Sequence, residues 1–127
     1  MGKTLFFLCL MTGTLATQED GKVTALISKD LTGIPGKEAV MLTVEYAPGQ
    51  SDAMHRHNAH VFVYVLEGRV IMQVRGGKEM MLGPGQTFYE GPDDVHLISR
   101  NASTTESAKF LVFLVKDKAA KILTPVK

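Results

Sequence analysis

The sequence predicts an all-β domain, an antiparallel sandwich or barrel, and three observations carry this. Nine short stretches of strand-forming residues follow one another along the chain. The 12 Gly and 5 Pro fall largely between them as turn punctuation, and no long stretch repeats apolar residues at helical spacing. A length of 127 residues suits one domain, and a core of that size does not need disulfides or metals as staples.

The strands are expected at residues 22–29, 38–46, 55–57, 61–66, 69–75, 79–82, 87–90, 95–100 and 110–116. The turns between them are Ala47-Pro48-Gly49, Glu67-Gly68, Gly76-Gly77, Gly83-Pro84-Gly85 and Gly91-Pro92. Gly76-Gly77 between two strands marks a tight hairpin. In 69–75, Val70, Met72 and Val74 share one face, and Gln73 and Arg75 take the other. Residues 61–66 (Val-Phe-Val-Tyr-Val-Leu) do not alternate at all. Such a run is expected to be buried on both faces, between two sheets or at a subunit contact, and 110–115 has the same character. Two strands of this kind point to a homodimer. From Lys116 onward the chain turns rich in Lys and Ala, which suits a short helix or a tail over the barrel end.

The N-terminus reads as a separate unit. Met1-Gly2-Lys3 is a short positive start, Leu5 to Met11 is uninterruptedly apolar, and Thr14 and Ala16 stand at the spacing a signal peptidase reads. Residues 1–16 are therefore expected to be a signal peptide and 17–127 a single domain, periplasmic or secreted. The alternative is an N-terminal strand packed on the core. The apolar run is too short to span a bilayer, which needs about 20 residues. The only cysteine, Cys9, lies in this segment, so no disulfide is expected in the processed chain. Lys and Arg total 14 against 13 Asp and Glu, a formal charge of +1. A near-neutral chain carries no electrostatic footprint for nucleic acid or an acidic membrane.

The chemistry lies in the four histidines. His55 and His57 are two apart on an expected strand, so both imidazoles face one way and Arg56 the other. That pair suits a metal, although such pairs also occur on loops with none. His96 opens another strand after the Gly91-Pro92 turn, and an antiparallel roll can bring it opposite the first two.

These residues resemble the small single-domain cupins. The first motif of that family spaces a Gly, a His-x-His pair, a Glu and a Gly, and Gly49, His55, Arg56, His57 and Gly68 fall at those spacings. The second sets a Gly, a Pro turn, a His and an Asn in order; Gly85, Pro92, His96 and Asn101 match, with one extra residue before the Asn. The resemblance covers residues 42–115. It implies a double-sheet jelly roll and a divalent metal held by His55, His57 and His96 facing a small-molecule cavity.

One departure stands out. The family's Glu ligand would fall at position 61, and this chain has Val61. The remaining three-His site is uncharged and soft, which favours zinc, iron, nickel or copper over manganese. His60 becomes a ligand only if its loop turns inward; otherwise it is solvated. Glu90 is a candidate acid, base or partner of a ligand, although its place at a strand end favours an exposed carboxylate. Val61, Tyr64, Met72 and Phe88 are candidate cavity-lining residues, or plain core. No residue is singled out as catalytic. The resemblance leaves two readings open: a metal-dependent oxygenase, isomerase or lyase on a small organic substrate, and a non-catalytic ligand-binding or sensing module. A metal-chelating or storage role outside the cytoplasm is a third.

Overall fold

The computed structural model describes residues 20–127, so the expected signal segment lies outside the described residues. Ten strands follow in chain order: β1 (Lys22–Asp30), β2 (Lys37–Tyr46), β3 (His55–Arg56), β4 (Ala59–Glu67), β5 (Val70–Val74), β6 (Met80–Leu82), β7 (Thr87–Glu90), β8 (Val95–Asn101), β9 (Ala108–Asp117) and β10 (Thr124–Pro125). They form two five-stranded antiparallel sheets, ordered β1-β2-β9-β4-β7 and β10-β3-β8-β5-β6. This is the expected double-sheet jelly roll.

The core lies between the sheets. Val40, Leu42 and Val44 of β2, Val61, Val63 and Val65 of β4 and Phe110, Val112 and Leu114 of β9 face it from one side. Val70, Met72 and Leu82 face it from the other. Glycine is required at the β4–β5 turn. Gly68 has a φ of +70°, and a Cβ there would stand 2.4 Å from the Ser107 carbonyl oxygen. The β5–β6 connection turns at Gly76-Gly77, with the Gly77 amide donating to the Val74 carbonyl at 2.9 Å. Asn101 is buried and ties the β8–β9 turn to the end of β2. Its amide donates to the Glu106 and Ala47 carbonyls, and its oxygen accepts from the Ser103 amide.

One expectation is corrected. Within the chain, residues 61–66 are not buried on both faces: Val61, Val63 and Val65 point inward, while Phe62, Tyr64 and Leu66 are 39–47% exposed. Strand parity sets the direction of each side chain, and here hydrophobicity does not report it. Of the two forms expected for the C-terminal residues, a short helix or a tail over the barrel end, they take the second. They turn back across the barrel end, and Thr124 and Pro125 pair with Arg56 and His55 as a two-residue strand.

Candidate metal centre

The site is assembled by register. His55 of β3 stands directly opposite His96 of β8. His57, just past the end of β3, shares the inward face with His55, and Arg56 points out to solvent. The three imidazoles are buried, with ring centroids 4.8 Å apart for His55–His57 and 5.0 Å for His55–His96. Phe88 stacks on the His96 ring at 5.7 Å and limits its rotation.

The fourth member is Glu90, and here the sequence reading is corrected. Glu90 is not an exposed strand-end carboxylate; it is 1% exposed. Strand β7 alternates, so Phe88 and Glu90 point inward while Thr87 and Tyr89 point out. One carboxylate oxygen, Oε2, lies 2.7 Å from His96 Nδ1, and the other, Oε1, lies 3.2 Å from His57 Nε2. The register explains the empty family position: Val61 of β4 and Glu90 of β7 are direct cross-strand partners. The carboxylate stands on the adjacent strand, facing the same interior. The donor set is therefore three imidazoles and a carboxylate, not an uncharged three-His group, and the ground for disfavouring manganese falls away.

The orientation of the rings suits a cation. His55 Nδ1 donates to the Ala53 carbonyl at 2.8 Å, and His57 Nδ1 donates to the Ile122 carbonyl. A carbonyl only accepts, so both rings carry their proton on Nδ1 and turn the Nε2 lone pair inward. Burial pushes the His57 pKa below the usual histidine value, outweighing the opposing pull of Glu90. A neutral imidazole is the form that ligates. One ligand atom from each of His55, His57, Glu90 and His96 can be chosen so that all lie within 4.8 Å of one another. Donors on one ion at about 2.1 Å are about 3.4 Å apart in a tetrahedron and at most about 4.2 Å apart when opposite one another, so the widest pair would close by up to roughly 0.6–1.4 Å on binding. Neither Glu90 oxygen nor His96 Nε2 makes an aligned hydrogen bond, although all three atoms are buried. Orphaned groups of this kind are costly in an apolar interior, and a divalent cation held among the four residues would offset that cost.

A cavity of about 80 Å³ opens beside the four residues, walled by Leu42, Val44, Val61, Met72 and Leu114. Its polar wall is Asp52 and Ser99, both hydrogen-bonded at 2.6 Å to the hydroxyl of the fully buried Tyr46. Burial and the Asp52 carboxylate raise the Tyr46 pKa, so its hydroxyl stays protonated. Of the expected lining residues, Val61 and Met72 face the cavity, and Phe88 reaches the site through His96. Tyr64 lies on the outer face of the sheet, 46% exposed. His60 also points outward, with Nδ1 2.7 Å from the Tyr89 hydroxyl, and takes no part in the site.

Fold and site together define a double-sheet barrel with a buried group that can hold a metal at one end of its interior. The family described as cupin domain matches residues 42–114, and the chain belongs to it. Among solved structures, the fold is similar to an uncharacterized conserved protein with a double-stranded beta-helix domain from Klebsiella pneumoniae. That match has 19% identity and a TM-score of 0.66, covering 87% of this chain and 88% of that one. It is also similar to the DMSP lyase DddQ from Ruegeria pomeroyi, at 17% identity and a TM-score of 0.67. That match covers 84% of this chain but 52% of the lyase, so the chain spans about half its length. A cupin domain from Bordetella pertussis matches at 18% identity and a TM-score of 0.60, covering 79% of this chain and 97% of that domain. No functionally curated protein matches the chain.

Proposed function

We propose that this cupin binds one divalent transition metal through His55, His57, Glu90 and His96 and presents it to a small organic molecule in the adjoining cavity. The observation that carries the reading is the buried Glu90 carboxylate, unsatisfied by hydrogen bonds and set among three inward-facing imidazoles. Such an ion acts as a Lewis acid or lowers the pKa of a bound water. The chain's own residues supply the rest. The Ala53 and Ile122 carbonyls orient His55 and His57, and the apolar walls keep bulk water from the site. Asp52 and Ser99 offer polar contacts to a ligand, positioned by Tyr46.

Coordination number separates the catalytic reading from the non-catalytic one. Four protein donors close a tetrahedral shell, so with zinc the site resembles a structural or ligand-sensing centre. An octahedral ion keeps two further positions for substrate or water, as an enzyme requires. A lyase among the structural relatives is compatible with the second case. Metal analysis of the purified chain, followed by cobalt(II) substitution and absorption spectroscopy, tests this: strong tetrahedral bands support the closed site, weak octahedral bands the open one. A preparation that takes up no divalent ion refutes both. The Met1-to-Ala16 pattern supports a periplasmic or secreted location, and the half-exposed Phe62, Tyr64 and Tyr89 support self-association through the outer face of that sheet.

A further inference from the structure

We propose that the C-terminal strap, residues 120–126, is a latch that retains the metal and gates the cavity. This rests on the reading of His55, His57, Glu90 and His96 as a metal-holding group, and adds what controls exchange there. The Ile122 carbonyl accepts the His57 Nδ1 proton, so the strap fixes the orientation of one donor ring. Thr124 and Pro125 pair with Arg56 and His55, so the strap is also the sheet neighbour of the strand that carries a second donor. The Val126 amide donates to the Met54 carbonyl at 3.2 Å. Between these ties, Ile122 and Leu123 line the cavity. One short segment thus lines the cavity on its solvent side and ties down the ligand shell.

The strap is built to open at low cost. Ile122 and Leu123 are 41% and 45% exposed, so they seal the cavity as a single layer. Strand β10 has two residues and lies at the edge of its sheet, and its neighbour β3 also has two. Short edge pairings of this kind belong to the part of a fold that opens locally without global unfolding. Lifting the strap removes the Ile122 carbonyl from His57, and the ring is then free to turn. Loss of such an orienting partner typically lowers metal affinity by about 10- to 100-fold. Passage of a ligand through the mouth and retention of the metal are therefore coupled through one backbone carbonyl.

The test follows extraction of zinc from the loaded full-length chain by a chromophoric chelator. In Ile122→Gly/Leu123→Gly the apolar seal is gone and the strap backbone is loosened, and extraction should accelerate by roughly 10- to 100-fold. The opposite variant locks the strap. Arg56 and Thr124 are cross-strand partners with exposed side chains, and partners of this kind have Cα atoms about 4.5–5.5 Å apart, within disulfide reach. In Arg56→Cys/Thr124→Cys, made with Cys9→Ser, oxidation should slow extraction by about tenfold relative to wild type, and reduction should undo it. Rates within about twofold of wild type in both variants, with sheet content intact by circular dichroism, overturn the latch and leave the metal reading standing. A wild-type chain that takes up no divalent ion overturns the metal reading and the latch with it.

Discussion

Glu90→Gln should raise the stability of the metal-free protein while abolishing tight metal binding. The substitution keeps the shape of the side chain and removes its charge. Glu90 is 1% exposed, and neither oxygen has an aligned donor, so the folded apo chain bears the cost of a buried carboxylate. An unsatisfied buried group costs about 1–3 kcal/mol, and more when charged. Gln can donate as well as accept, and His57 Nε2, 3.2 Å from Oε1, offers the lone pair to receive that proton. Recovery of even 1 kcal/mol corresponds to about 4 °C in Tm for a domain of this size. The opposite expectation is also definite: were Glu90 one half of a stabilising buried ion pair, its neutralisation would cost about 3–5 kcal/mol. Thermal unfolding of wild type and variant in the presence of a chelator measures the sign, and calorimetric titration with zinc and manganese measures the binding. A lower apo Tm in the variant, or unchanged metal affinity, would show that Glu90 is not an uncompensated metal-binding carboxylate.

Moving the carboxylate one rung across the sheet should preserve the centre. Val61→Glu/Glu90→Val should recover metal binding that Glu90→Val alone loses, whereas Val61→Glu alone sets two carboxylates opposite each other and should destabilise the apo chain by several kcal/mol; titration and thermal melts of the three variants check both. The depressed His57 pKa makes apo stability fall with acidity. Above the unfolded value of about 6.5 the ring is neutral in both states, and below it only the unfolded chain takes up the proton, until the pH also passes the lower folded value. The apo Tm should therefore drop from pH 7.5 to pH 5, and His57→Gln should flatten that slope; an equal slope in the variant counts against it. Light scattering at micromolar concentration should give the mass of a dimer, and Phe62→Glu/Tyr89→Lys should halve it while leaving metal uptake intact; a wild-type mass of one chain rejects the outer face as an interface.

The strand positions were legible because turn residues and apolar runs coincide with the structure's boundaries. Gly68, Gly76-Gly77 and the Gly91-Pro92 turn all fall between strands. The pairing of His55 with His96 was approachable because spacing along each strand sets the face and the two motifs set the order. Glu90 was harder. Its inward direction follows from β7 parity, but its arrival beside the histidines depends on β7 lying against β4, a contact that nothing local in the sequence encodes. The signal that could have found it is the missing carboxylate at Val61, which asks where else a carboxylate can enter. The exposed outer face of β4 was hidden because Phe62, Tyr64 and Leu66 are as apolar as their buried neighbours. The strap was hidden for a different reason: its contact with His57 is made by a backbone carbonyl, which every residue possesses.

Everything proposed for this site requires that four side chains, from β3, its flanking residue, β7 and β8, hold one divalent ion. Anomalous diffraction from a crystal of the metal-loaded chain, collected on both sides of the absorption edge, tests it most directly. A single anomalous peak is expected about 2.0–2.2 Å from one nitrogen each of His55, His57 and His96 and from a Glu90 oxygen. No peak among these residues after loading, or a peak coordinated by the histidines with Glu90 turned away, would contradict it.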